Sequence, residues 1–119
     1  MNKRPLILLT NDDGVESPGL AAAAAALDPL GELIIAAPRT QQTSRSRSRS
    51  HMETDRKFSR HVVLHGRSEW EAFAVDASPA VTVDLALHSL VDRIPALVVS
   101  GINYGENVGT SVSVSGTIG

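Results

Sequence analysis

Two short apolar segments flank an alanine-rich segment near the amino terminus, and this pattern constrains the fold more than any other feature. Residues 5–10 and 32–37 are apolar without alternation, which is typical of central strands in a parallel sheet covered on both faces. Between them, residues 20–27 contain six successive alanines and predict a helix, preceded by the cap and proline of Ser17 and Pro18. A strand–helix–strand unit of this kind predicts a right-handed βαβ crossover.

The rest of the chain extends the same pattern. Residues 58–64 and 71–75 predict two strands around a turn at Gly66, residues 80–90 an amphipathic helix, and residues 94–100 another buried strand. We therefore expect an α/β fold, a three-layer, doubly wound, mainly parallel sheet of the Rossmann-like kind.

Residues 39–56 differ in composition and predict a mobile polar loop. Arginine alternates with serine from Arg45 to Arg49 without interleaved aromatic residues, which favours a solvated loop over a nucleic-acid surface. The net charge of −2 provides no general field for nucleic acid or an anionic membrane. No apolar stretch approaches membrane-spanning length and no secretory leader is evident, so a cytoplasmic location is expected.

Three polar segments directly follow predicted strands: residues 11–14, 39–44 and 101–110. In an open parallel sheet, the loops after the carboxyl ends of the strands lie along one edge, where ligands bind. The predicted fold therefore gathers three distant segments around one crevice.

The first of these segments carries two adjacent carboxylates, Asp12 and Asp13, after Asn11. Adjacent acids repel each other unless a cation or a proton relieves the conflict, and their oxygens suit Mg²⁺, Mn²⁺ or Ca²⁺. The chain has no cysteine, so a metal would need oxygen or imidazole ligands. A simple turn with an Asn or Asp cap is the alternative interpretation.

Residues 101–109 are rich in glycine and asparagine. Glycines allow backbone N–H groups to approach an anion, and asparagines offer oxygens to a cation or amides to a phosphate. A flexible glycine loop is the alternative. Ser115, Gly116 and Thr117 resemble a helix start that could hold a phosphate. Because the chain stops where this element begins, we expect it to be a fragment of a longer protein.

Residues 7–20 read ILLTNDDGVESPGL and closely resemble the amino-terminal signature of the SurE family, the survival-protein nucleotidases. Residues 100–109, SGINYGENVG, resemble the second signature of that family, and Ser115-Gly116-Thr117 stands where the third is expected. The Ala-Ala-Pro-Arg sequence at residues 36–39 also matches. The resemblance spans essentially the whole chain.

The resemblance implies a metal-dependent phosphatase, a 5′-nucleotidase that hydrolyses nucleoside 5′- and 3′-monophosphates, with Asp12 and Asp13 as catalytic carboxylates. It implies one divalent ion per subunit, Mg²⁺ or Mn²⁺, with Ca²⁺ as a substitute in a crystal. The implied metal ligands are Asp12, Asp13, Asn103 and a hydroxyl at Thr43, with Ser44 as the adjacent alternative. The implied phosphate-binding residues are Asn11, Ser44, Asn107, Ser115, Gly116 and Thr117.

Members of the family run to about twice this length, well within the range for one domain. Residues 1–119 are therefore expected to form one domain that is incomplete at its carboxyl end. The resemblance also implies a homodimer or tetramer for the full-length protein, a nucleoside monophosphate as its ligand, and no specific nucleic acid or membrane partner.

Two alternatives stay open. One is a non-catalytic, receiver-like module that binds a nucleotide or phosphate, because such modules also place an acidic pair after the first strand. That class needs another acidic residue after a later strand, where this chain has Ser100 and Gly101. The other alternative is an inactive fragment.

Overall fold

The computed structural model describes residues 4–40, 57–105 and 109–116, with backbone alone from residue 103 onward. A short 3-10 turn, Asp28–Leu30, follows the first helix. In chain order the helices and strands are β1 Leu6–Thr10, α1 Pro18–Leu27, β2 Glu32–Pro38, β3 Ser59–His65, β4 Ser68–Val75, α2 Pro79–Ser89, β5 Leu97–Gly105 and β6 Gly109–Gly116.

The strands form a six-stranded sheet in the order β3-β4-β2-β1-β5-β6. The four inner strands, β4, β2, β1 and β5, run parallel, while β3 and β6 pair antiparallel at the two edges. The predicted mainly parallel α/β sheet is confirmed, including the hairpin of β3 and β4 around Gly66, whose φ of 62° lies in the left-handed region.

The helices cover opposite faces of this sheet, which produces the three layers. Alternate residues of β1 divide between two apolar clusters, with Ile7 and Leu9 against α1 and Leu8 against α2. All five residues of β1 are buried, as expected for its continuous apolar sequence. The small side chains of α1 pack directly on the sheet, since Leu20 and Ala24 are both fully buried. In the part of the chain that the structure describes, neither helix has the length and hydropathy needed to cross a bilayer.

Two predictions near the carboxyl end are wrong. Strand β5 does not end at Ser100 but continues to Gly105, and Ser115 and Gly116 belong to strand β6 instead of a helix start. The physical reason is visible in residues 110–115, where valine alternates with serine or threonine at the period of a strand. The β5 strand also starts at Leu97 and not at residue 94, because Pro95 has no N–H to donate to a ladder.

Gly31 lies at the turn into β2, where a side chain would overlap the backbone of the segment before β1. A Cβ built there meets the carbonyl oxygen of Pro5 and lies 3.2 Å from Cδ1 of Ile7. The Glu32 N–H donates to that same Pro5 carbonyl at 2.8 Å, so the backbone cannot move away freely.

We therefore expect Gly31→Ala to lower the free energy of unfolding by about 1–3 kcal/mol, as measured by urea denaturation. Gly66→Asn is the matched control: nothing lies within 4 Å of a Cβ at Gly66, and asparagine tolerates its positive φ. The control should change stability by less than about 0.5 kcal/mol. If Gly31→Ala and the original chain have the same free energy of unfolding, the backbone around Pro5 moves to accommodate the added methyl group.

Candidate active site

The crevice expected in this fold lies between the carboxyl ends of β1 and β5. The chain passes from β1 to β2 through α1 on one face, and from β4 to β5 through α2 on the other. Strand order therefore reverses direction at β1, which makes the gap between β1 and β5 a topological switch point. The last residue of β1, Thr10, is the Cα partner of Ser100. Strand β5 continues beyond Ser100 to Gly105, so the loop that follows β1 begins beside the middle of β5.

Asn11 organises the loop that follows β1. Its side chain is fully buried. The Nδ2 group donates to the carbonyl of Gly14 at 3.0 Å and to the Ser17 hydroxyl at 3.4 Å, and Oδ1 accepts from the Gly14 N–H at 3.2 Å. Both amide hydrogens and the carbonyl oxygen of Asn11 are thus engaged within its own loop. The side chain closes the loop over residues 12 and 13 in the manner of an Asx turn.

The other end of the loop is fixed to the sheet and to α1. The Val15 N–H donates to the Pro38 carbonyl at the end of β2, at 2.9 Å, and the buried Val15 side chain joins the α1 cluster. Gly14 adopts a φ of 108°, which a residue with a side chain rarely adopts. The Ser17 hydroxyl accepts from the Leu20 N–H at 3.4 Å and caps α1.

Asp12 and Asp13 lie between these anchors, at the apex of the loop. Asp12 is exposed and Asp13 is half-buried. The two carboxylates are therefore presented beside the switch point by a loop that hydrogen bonds fix on both sides. The predicted ligand set fits a hard divalent cation by its chemistry, because carboxylate and neutral oxygens are the donors that Mg²⁺ and Mn²⁺ prefer. Among the described residues no group of three or more histidine, aspartate or glutamate side chains could hold a metal.

The structure brings only part of the predicted set to this crevice. Asn103 lies in β5, three residues beyond Ser100, and the pairing of β5 with β6 is irregular between these two residues. Four other predicted residues, Thr43, Ser44, Asn107 and Thr117, lie outside the described residues, as does most of the predicted loop 39–56.

Ser115 and Gly116 are the Cα partners of Val98 and Leu97 near the start of β5. These two positions are about 7 and 10 Å along the strand from Ser100, toward the opposite end of the sheet from Asp12. The structure does not bring them to the crevice, and their phosphate-binding role stays a prediction.

Two residues near the site were not predicted to contribute from the sequence. Ser17 was assigned only as a helix cap, yet its hydroxyl also receives a hydrogen bond from Asn11. Thr10 was assigned only to the strand, yet its hydroxyl is buried at the switch point without a hydrogen-bond partner. A threonine ending an otherwise apolar strand was the available signal for Thr10, whereas nothing in the sequence indicated the bond between Asn11 and Ser17.

Comparisons with known proteins identify the family and the relatives of this chain. The family model described as survival protein SurE matches residues 7–119. The chain is 45% identical over 113 residues to the 5′-nucleotidase SurE of Methanopyrus kandleri, covering 95% of this chain and 41% of that protein. It is 47% identical over 118 residues to the 5′-nucleotidase SurE of Methanospirillum hungatei, covering 98% of this chain and 40% of that protein.

A solved structure shows the same fold. The crystal structure of the SurE protein from Aquifex aeolicus matches with a TM-score of 0.66 at 33% sequence identity, over 88% of this chain and 40% of that one. The chain thus spans about two fifths of the length of the relatives that it matches.

Proposed function

This chain is a member of the survival protein SurE family, and we propose that it is the catalytic amino-terminal part of a metal-dependent phosphomonoesterase that hydrolyses nucleoside 5′-monophosphates. The observation that supports this most strongly is the position of Asp12 and Asp13, which an internally bonded loop presents at the switch point of the sheet. Relatives named as 5′-nucleotidases align over nearly the whole chain, including that loop. Action on 3′-monophosphates is part of the same proposal.

The proposed metal ligands are Asp12, Asp13, Asn103 and the hydroxyl of Thr43 or Ser44. A Mg²⁺ or Mn²⁺ ion held by these residues would supply Lewis-acid chemistry for the phosphoryl oxygens and for activating a water. The two aspartates carry the negative charge of the site, and one of them would accept the proton of the attacking water. Because the loop is rigidly bonded, the carboxylates need little reorganisation as charge shifts during the reaction.

The phosphoryl group would be held by neutral donors of the flanking segments. Ser44 and Asn107 are proposed for this role, and neutral donors suit a phosphate that is already partly neutralised by a cation. Asn11 supports the site differently, since its side chain is engaged with Gly14 and Ser17. A homodimer or tetramer of the full-length protein and a cytoplasmic location complete the proposal.

A phosphate-release screen tests the proposed function. Nucleoside 5′- and 3′-monophosphates are incubated with the 119-residue chain and, in parallel, with the product of the complete reading frame, across a series of Mg²⁺, Mn²⁺ and Ca²⁺ concentrations. We expect multiple turnovers that require a divalent ion and are suppressed by a chelator.

The outcomes of the screen separate the candidate functions. Turnover by the longer protein alone would identify this chain as an inactive fragment. Stoichiometric labelling by a small phosphodonor without turnover would indicate the receiver-like module. Metal-independent release at the same rate would contradict the proposed mechanism.

A further inference from the structure

Thr10 and Thr82 are the two buried threonines of the described chain, and they differ in one respect. The Thr82 hydroxyl, on α2, donates to the Ser78 carbonyl at 2.8 Å. The Thr10 hydroxyl has no hydrogen-bond partner among the described residues, although Thr10 is only 2% exposed. A buried hydroxyl without a partner costs free energy of folding, so the position would be more stable with an apolar side chain.

The surroundings of Thr10 make its hydroxyl unusual. The other four residues of β1 are apolar and buried, and Leu8, on the same face, packs in the α2 cluster. A valine has the shape of threonine and would continue this apolar sequence. Packing in the fold therefore does not require a hydroxyl at Thr10.

Thr10 ends β1 beside Ser100 of β5, at the switch point, and it lies two residues before Asp12. A group bound beside the loop that carries Asp12 comes next to the end of β1. A hydroxyl is a neutral donor, so it can bond an anionic oxygen there without adding charge next to the acidic pair.

We propose that the Thr10 hydroxyl is a binding group for the phosphoryl moiety, donating a hydrogen bond to one of its oxygens. This inference rests on the proposed function and adds a donor at the floor of the crevice. Because the hydroxyl is covered in the described structure, the loop after β1 shifts slightly as the phosphoryl group enters. On binding, the buried hydroxyl gains a hydrogen-bond partner. The free energy that this hydroxyl costs in the folded protein is then recovered as a higher affinity for the phosphoryl group.

The test combines stability and binding in the same variants. Thr10→Val removes the hydroxyl at constant shape, Thr10→Ser keeps it, and Thr82→Val is the matched control with a bonded hydroxyl. Thermal unfolding is measured without phosphate, and the affinity for inorganic phosphate is measured by calorimetry with Mg²⁺ present. We expect Thr10→Val to bind phosphate about tenfold more weakly, the loss expected for one hydrogen bond to a charged group, at an unchanged or higher melting temperature. Thr10→Ser should retain the affinity.

Thr82→Val should show the opposite pattern, with a lower melting temperature and unchanged phosphate affinity. In the unsubstituted protein, the methyl resonance of Thr10 should shift on phosphate addition while that of Thr82 stays in place, a readout that does not depend on the folding of any variant. Phosphate affinity of Thr10→Val within about twofold of the original would overturn the proposal while leaving the proposed function intact. Absence of phosphate binding by the unsubstituted protein would overturn both.

Discussion

Replacing Asp12 by asparagine is expected to reduce metal-stimulated phosphate release by about 100-fold or more, a loss of roughly 3 kcal/mol of transition-state stabilisation. The substitution keeps the size of the side chain but removes one of the two charges proposed to bind the cation. Asp12 is exposed, and the hydrogen bonds between Asn11 and Gly14 that close the loop remain in the variant. Because asparagine keeps the size and an acceptor oxygen of the side chain, the free energy of unfolding without metal should change by less than about 0.5 kcal/mol.

Metal binding gives this prediction a second readout. A cation that binds the folded chain stabilises it by mass action, so the melting temperature should rise with Mg²⁺ or Mn²⁺ in the original and not in Asp12→Asn. Glu16→Gln is the matched control, because Glu16 is an exposed acid of the same loop and its substitution changes the net charge equally. If Asp12→Asn releases phosphate at nearly the original rate and its melting temperature rises equally with metal, Asp12 is not part of the metal site.

The central part of the fold could be predicted from the sequence because its signals are local. Continuous apolar sequences predict strands β1 and β2, and a Ser-Pro pair marks the start of each helix, at Ser17 and Ser78. Both serines accept a hydrogen bond from the N–H three residues later. The position of Asp12 and Asp13 at the sheet edge follows from the same pattern, since parallel order places the loop after β1 at the switch point.

The carboxyl end could not be predicted in the same way, because its pattern supports two interpretations. Ser115 and Gly116 satisfy the sequence rule for a helix start, while the alternation from residue 110 to 115 satisfies the rule for a strand, and pairing with β5 selects the strand. The role of Asn11 was also beyond the sequence. An asparagine next to two acids is equally suited to binding phosphate or to closing its own loop, and the bonds to Gly14 and Ser17 favour the second role.

Replacing Asn11 by alanine should lower kcat/KM by about 10- to 100-fold, although Asn11 need not contact the substrate. A loss of this size is typical when a residue that orients metal ligands is removed. Without the amide, the buried Gly14 N–H loses its acceptor and the apex that carries Asp12 and Asp13 is no longer closed. Leaving these groups unsatisfied should also lower the free energy of unfolding by about 1–3 kcal/mol. Steady-state kinetics and urea denaturation measure the two effects.

A second serine cap separates positioning from simple destabilisation. Ser17 and Ser78 both cap helices that begin with proline, and both accept an N–H at nearly equal distance, 3.4 and 3.3 Å, but Ser17 alone receives Asn11. Ser17→Ala and Ser78→Ala should each cost about 1 kcal/mol of stability, while Ser17→Ala alone lowers kcat/KM. Asn11→Ala and Ser17→Ala should then be non-additive by at least about 0.5 kcal/mol in a double-mutant cycle, because they remove the same bond. If the two substitutions are strictly additive, Asn11 acts on the phosphate directly and not through Ser17. If Ser78→Ala lowers kcat/KM as much as Ser17→Ala does, the loss of activity reflects global stability alone.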